Sequence, residues 1–124
     1  MSRPLSLVLL AACLLSACGR EAKGPRTFAA GDKATVGPLI YNVVDVHINP
    51  RLGEDPTTAR VPQNRFFLIR ISASNSSSDP VSIPSLTLID DTGKTYSEIA
   101  DGTNVTEWLG VIRKIDPGMT DTGV

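Results

Sequence analysis

The chain has 124 residues, of which 41% are hydrophobic, 20% charged and 5% aromatic. Its 12 Lys and Arg nearly balance 13 Asp and Glu, for a formal net charge of -1. That length supports one domain of ordinary size. The composition is too apolar for a disordered chain and too evenly charged for one that grips nucleic-acid backbones. One His and two Cys leave little material for a metal centre, and no cofactor-binding motif is present.

The N-terminus reads as an address. Met1, Ser2 and Arg3 form a short basic start, and Leu5 to Leu15 is an apolar run interrupted only by Ser6. The run is too short for a membrane span, which takes about 20 apolar residues, and has the layout of a secretory signal. Leu15-Ser16-Ala17-Cys18 then resembles the bacterial lipobox, in which the Cys is diacylated and becomes the new N-terminus. A thiolate suits that step because it is a far better nucleophile than a hydroxyl. Each buried acyl methylene contributes about 0.8 kcal/mol, so two or three chains anchor stably. Residues 1–17 are therefore expected to be a leader, and Cys18 the lipidation site and the contact with the membrane. Cys13 falls in the discarded leader, which leaves no disulfide. Gly19 in place of Asp leans toward the outer membrane of a Gram-negative cell. Residues 18–27, with Gly24, Pro25 and alternating charges, read as the anchor and a flexible tether.

Residues 28–124 show no sustained helical period, and prolines at 38, 50, 56, 62, 80, 84 and 117 oppose long helices. Short strands are expected instead. The first spans residues 39–48. Strict alternation would bury Ile40, Val44, Val46 and Ile48. A slip near Val44 would bury Tyr41, Val43, Val46 and Ile48 and would require a bulge. The slip is preferred, because it keeps Asn42 outside and the aromatic ring inside. A long polar loop covers residues 49–64. In the strand 66–75, Phe67, Ile69, Ile71 and Ala73 should face the core, with Phe66, Leu68, Arg70 and Ser72 outward. Short strands follow at 81–83, 86–89 and 94–97, the last two joined by an Asp90-Asp91-Thr92-Gly93 turn in which Gly93 can take a positive φ. Residues 98–109 read as a loop or a helical turn. A strand at 111–115 ends in Asp116-Pro117-Gly118, a composition suited to a type II turn. Its partner strand is expected to begin near Thr122.

Gly37, Leu39, Tyr41 and Val43, the apolar strand ending in Asn75, the hairpin residues Asp91, Gly93 and Tyr96, and the turn residues Pro117, Gly118 and Gly123 fall in a familiar order. Together they resemble the bacterial immunoglobulin-like family of unknown function known as telokin-like, found in secreted proteins and lipoproteins. The resemblance implies an all-β, immunoglobulin-like antiparallel β-sandwich over residues 28–124, with no required disulfide. It also implies one or two more strands after the Pro-Gly turn than this chain carries.

The chemistry-bearing residues are sparse. Asp45 and His47 lie two apart on one outward strand face and read as a solvated surface, the alternative being a weak acid–base pair or half a metal site. A zinc site generally needs three or four protein ligands. Asp90, Asp91 and Glu98 surround a turn without the spacing of a calcium loop. The Asn104-Val105-Thr106 sequon is short enough to arise by chance, and the serines at 76–78 lack the setting of an activated nucleophile. Trp108 is read as a core filler rather than a binding anchor. The loop at 49–64, with Arg51 and Arg60 in it and Arg65 next to it, is the candidate partner-binding surface, because loops on a rigid scaffold commonly carry recognition. The expected whole is a non-enzymatic, lipid-anchored module of the bacterial cell envelope with a protein partner and no nucleic acid, cofactor or metal. The alternatives are a small-ligand or metal-ion binding lipoprotein, or an accessory domain of a longer envelope protein.

Overall fold

The computed structural model describes residues 24–124. The leader, Cys18 and the start of the tether lie outside the described residues. Eight strands follow one another: β1 (Ala34–Val36), β2 (Leu39–Asn49), β3 (Phe66–Asn75), β4 (Val81–Ile83), β5 (Thr87–Ile89), β6 (Thr95–Ser97), β7 (Arg113–Ile115) and β8 (Thr120–Gly123). The described residues hold no helix, and every strand pairing is antiparallel. One sheet has the order β1-β2-β3-β8, and two smaller pairs, β4-β7 and β5-β6, complete the fold. The all-β reading holds. β1, which sequence reasoning did not anticipate, reaches β2 through a two-residue turn in which Gly37 has φ 58°, a position where a hairpin favours Gly.

The long β2-β3 hairpin carries the architecture. Val43 pairs with Ile71 and Asp45 with Arg70, so Val44 bulges out between them. One extra residue restores the parity that the sequence would otherwise break. Leu39, Tyr41, Val43, Val46 and Ile48 thereby share one face of the sheet with Phe67, Ile69, Ile71, Ala73 and Asn75.

Only half of that face is covered. The β4-β7 pair lays Ile83 and Ile115 onto Leu39 and Ala73, with Tyr41 and Val81 packed around them. Ala73 is fully buried and Ile115 is 1% exposed. Toward the other end of β3, Val46, Ile48 and Phe67 remain 43%, 51% and 49% exposed. The expectation that these three are buried is therefore corrected: they lie on the core face, but the second layer stops short of them. Phe66, expected outside, is buried. The loop between β2 and β3 folds back over it, with Leu52 and Arg60 joined by paired backbone hydrogen bonds of 2.9 and 2.8 Å. The Arg60 guanidinium stands 5.5 Å above the Phe66 ring, a cation–π contact.

The end of β3 is tied by Asn75, which is 2% exposed. Its amide donates to the carbonyls of Asp79 at 2.7 Å and Ile115 at 3.0 Å. Its Oδ1 accepts from the Ser77 N–H at 2.9 Å and the Ser77 hydroxyl at 2.8 Å. One side chain thus joins β3, the turn after it and β7. The Asp116-Pro117-Gly118 turn forms as expected, with Gly118 at φ 71° and the Met119 N–H on the Asp116 carbonyl at 3.1 Å. The strand after it differs from expectation. It begins at Thr120 and pairs with β3, crossing to the four-stranded sheet instead of doubling back on β7.

The loops are held by a repeated device. In Asp55-x-Thr57, Asp90-x-Thr92 and Asp101-x-Thr103 the Asp Oδ1 accepts from both the backbone N–H and the hydroxyl of the Thr, at 2.6 to 2.9 Å. Such side-chain turns mimic a backbone turn. Asp90 gathers more: the Lys94 N–H at 2.9 Å and the Tyr96 hydroxyl at 3.0 Å. Asp90, and not Asp91, is therefore the carboxylate that closes the β5-β6 hairpin. The Thr92 hydroxyl, then the Lys94 amide, with Tyr96 and the Thr92 amide adding to them, hold its pKa at about 2, against an ordinary 3.8. A depressed folded-state pKa means that the hairpin's stabilisation is complete above the ordinary value and is lost as pH falls toward 2. A carboxyl-carbon NMR titration should find Asp90 with a midpoint near 2 in the folded protein, and Thr92→Ala should raise it. An unshifted midpoint would contradict this turn geometry.

Candidate binding cleft

The uncovered half of the sheet opens into a cleft of about 530 Å³. Phe67 and Ile69 of β3 form its floor, and Leu88, Ile99, Trp108 and Val111 stand around it. Trp108 is 41% exposed, so its assignment to the core is corrected. Its ring lies directly on the backbone of Gly102, where any Cβ would fall about 1.9 Å from the indole. Gly102 is what lets the indole lie at the rim. The size and the apolar lining are those of ligand sites in general.

Charged groups border the cleft at fixed places. Arg113, only 7% exposed, pairs with Glu98, while its Nε finds no acceptor among the described residues. Burial raises the pKa of the neighbouring Tyr41 phenol, and the positive charge of Arg113 partly offsets this. Arg60 donates to the carbonyls of Asp101 at 2.8 Å and Thr103 at 3.0 Å and pairs with the Asp101 carboxylate at 3.5 Å. That guanidinium is committed to holding the loop wall. Arg65 is exposed at the rim. Arg51 lies on the opposite face, in a smaller groove of about 160 Å³ with Asp45, His47, Arg70 and Asn104. The three arginines singled out from the sequence are thus divided: Arg60 and Arg65 reach the cleft, and Arg51 does not.

In the smaller groove Asp45 lies 3.4 Å from His47 and 3.4 Å from Arg70, and Arg70 also pairs with Glu107. Among the described residues no group of three or more His, Cys, Asp or Glu is arranged to hold a metal ion. Asn104, the sequon residue, sits at φ 64° and donates to the carbonyls of Leu52 and Thr58 at 3.4 and 3.3 Å. It fastens the loop wall to the β2-β3 loop.

Sequence reasoning missed the cleft because its apolar residues look like core residues. Only the extent of the second layer distinguishes them.

The fold has a counterpart among solved structures. A conserved hypothetical protein from Bacillus anthracis, known from a 2.2 Å crystal structure, superposes with a TM-score of 0.56 at 14% identity, covering 77% of this chain and 74% of that one. At that identity the likeness shows the fold alone. No curated protein matches the chain. Residues 28–124 match the family model described as a domain of unknown function, DUF4352, and the chain belongs to that family.

Proposed function

We propose that this chain is a lipid-anchored, extracytoplasmic binding module of the bacterial cell envelope, without enzymatic activity, built on an immunoglobulin-like sandwich of the telokin-like kind. Residues 1–17 serve as its leader and residues 18–27 as anchor and tether. The observation that carries the binding role is the apolar cleft, with Phe67 exposed on its floor and Trp108 at its rim. Apolar surface left open on a small domain commonly marks an interaction site, and aromatic anchors dominate binding energetics. A photoactivatable side chain placed at Phe67 in living bacteria should give a covalent adduct heavier than the chain. The same side chain at Val36, 63% exposed on β1 at the other edge of the sheet, should give none. Equal crosslinking at both positions would remove the support for a specific surface.

The anchor has its own test. Wild-type chain expressed in a bacterial host should take up labelled fatty acid and partition into detergent, while Cys18→Ser should do neither. Equal labelling of the two would refute lipidation at Cys18.

A small apolar ligand is the second reading. It is favoured by the cleft volume, about 530 Å³, which lies inside the common range for small-molecule sites of about 300–1,000 Å³. The intact mass of the Phe67 adduct separates the two: a few hundred daltons for a small ligand, kilodaltons for a protein.

A further inference from the structure

We propose that the chain pairs with a second copy of itself along the outer edge of β2, from Val44 to Ile48, the two strands running antiparallel about a two-fold axis at Val46. This edge lies on the side of the sheet away from β8, and the cleft plays no part in it. The first ground is the extent of the edge. β1 covers β2 from Leu39 to Tyr41, and the Gly31 N–H bonds the Val43 carbonyl at 3.1 Å. A local turn then draws the chain aside: the Asp32 N–H donates to the Ala29 carbonyl and the Ala29 N–H to the Asp32 carboxylate, each at 3.0 Å. Among the described residues, no backbone hydrogen bond reaches β2 from that side beyond Val43. At the other end Asn49 is followed by Pro50, which has no N–H to extend a ladder.

The direction of the backbone groups follows from the pairing. Val36 and Leu39 close the turn between β1 and β2, so Leu39, Tyr41 and Val43 aim their N–H and C=O groups at the β1 side. The bulge at Val44 shifts the alternation by one residue and passes that role to Val46 and Ile48. Unpaired edges of this kind template the addition of a strand. Edges that stay single are commonly blunted by lysine or proline. This one instead carries Val44, Val46 and Ile48, at 50%, 43% and 51% exposure.

The second ground is charge complementarity, which selects the occupant and the register. Identical antiparallel strands can be centred here on Asp45, Val46 or His47. Centred on Val46, Asp45 of each copy faces His47 of the other, and the contact occurs twice. Both contacts fall at non-hydrogen-bonded positions, where opposed side chains lie closest. An imidazole N–H can donate to a carboxylate whether or not the ring carries a second proton. Val46 then meets Val46 and Val44 meets Ile48, so the edge groups of Val46 and Ile48 find partners. Centred on Asp45, two carboxylates would face each other, and His47 would need the position opposite Val43, whose carbonyl Gly31 already holds. Centred on His47, two imidazoles would face each other. The Val46 centre alone joins unlike groups, and it uses the stretch between the Gly31 contact and Asn49. So short an edge gives a weak association in solution. The anchor proposed at Cys18 would confine copies to one surface and raise their effective concentration, but the pairing itself rests on the edge.

The test uses the full chain in membranes isolated from a bacterial host. Val46→Cys treated with a short bismaleimide should yield an adduct of twice the chain mass, well above the background set by the unsubstituted chain and its own cysteines. Ile89→Cys, 63% exposed on β5, should stay at that background. Adding His47→Asp to Val46→Cys sets carboxylate against carboxylate and should lower the dimer yield at least about threefold. Adding Asp45→Lys as well reverses both contacts and should restore the yield, a rescue that unfolded chains cannot give. Self-pairing at this edge is overturned by a background yield from Val46→Cys, by an equal yield from Ile89→Cys, by indifference to His47→Asp or by failure of the rescue. An adduct of any other mass at Val46 would give the edge to a different chain and equally overturn it. A positive Phe67 crosslink beside such a failure leaves the cleft reading standing.

Discussion

Ile71→Asp should unfold the protein, while Phe67→Asp, on the same face of the same strand, should leave it folded. Ile71 is 7% exposed, and the buried cluster of Ile83, Ile115 and Ala73 lies at its end of the sheet. An ionised carboxylate there has no partner and costs several kcal/mol, set against a total stability of about 5–15 kcal/mol for a domain. Phe67 lies beyond the reach of the second layer at 49% exposure, and an Asp there keeps its carboxylate in the solvent-open cleft. Surface changes of that kind usually stay within about ±0.5 kcal/mol, with a somewhat larger loss here for the half-buried ring. Thermal melts followed by circular dichroism decide the matter. Equal losses for the two variants would mean that the sheet is covered along its whole length and the cleft does not exist.

Asn75→Ala should have the next largest effect. The side chain makes four hydrogen bonds in a nearly dry site, each contributing about 0.5–1.5 kcal/mol net. Truncation also leaves the Asp79 and Ile115 carbonyls without this donor. A loss of roughly 2–4 kcal/mol follows, or a fall in Tm of at least about 10 °C for a domain of this size. Asn75→Asp should be no better. It keeps the acceptor for Ser77 but turns an oxygen toward two carbonyl oxygens. Ser77→Ala should cost much less, because the Ser77 backbone N–H still reaches Oδ1. A near-neutral Asn75→Asp would show that the amide does not bridge β3 to β7.

Much of this fold was legible from the chain. The strand boundaries at 39–48, 66–75, 81–83 and 94–97 fall within about one or two residues of those observed. The bulge at Val44 followed from asking where Asn42 and Tyr41 could both be satisfied. Gly93 and Gly118 announced their turns through the positive φ each adopts, 85° and 71°. What escaped depends on partners remote in sequence. β1 is three residues long, too short for a periodic signal. Whether Phe66 or Phe67 is buried depends on the loop carrying Leu52 and Arg60, not on the alternation within β3. The choice of β3 over β7 as the partner of β8 is a long-range decision that the Pro-Gly turn leaves open. The Asp-x-Thr turns were readable in principle, since each is a local pattern with a local mechanism. They place Asp90, and not Asp91, at the head of the hairpin.

For the candidate site the division is sharper. Arg60 and Arg65 were found through their position near a long loop, and Asp45 and His47 through their shared parity. Phe67 and Ile69 are assigned to the core because hydrophobicity and alternation are the same for a buried face and for one left open, and Trp108 because a large apolar ring in a loop fills a core as readily as it lines a cleft.

The crossing of β8 to β3 also sets a timetable for synthesis. Asn75 bonds to Ile115, 40 residues later, and Ser74 meets Thr120 across 46. A ribosome adding about 5–20 residues per second needs roughly 2–8 s to lengthen the chain from Asn75 to Ile115. During that interval the β2-β3 hairpin has neither of its late partners, and its apolar face is bare. Contacts of such separation also close slowly, on the millisecond-to-second scale typical of β-sandwiches. The nascent chain thus passes through a stage of at least seconds in which it is exposed to aggregation and to capture by chaperones, and that stage cannot end before the residues of β7 and β8 emerge.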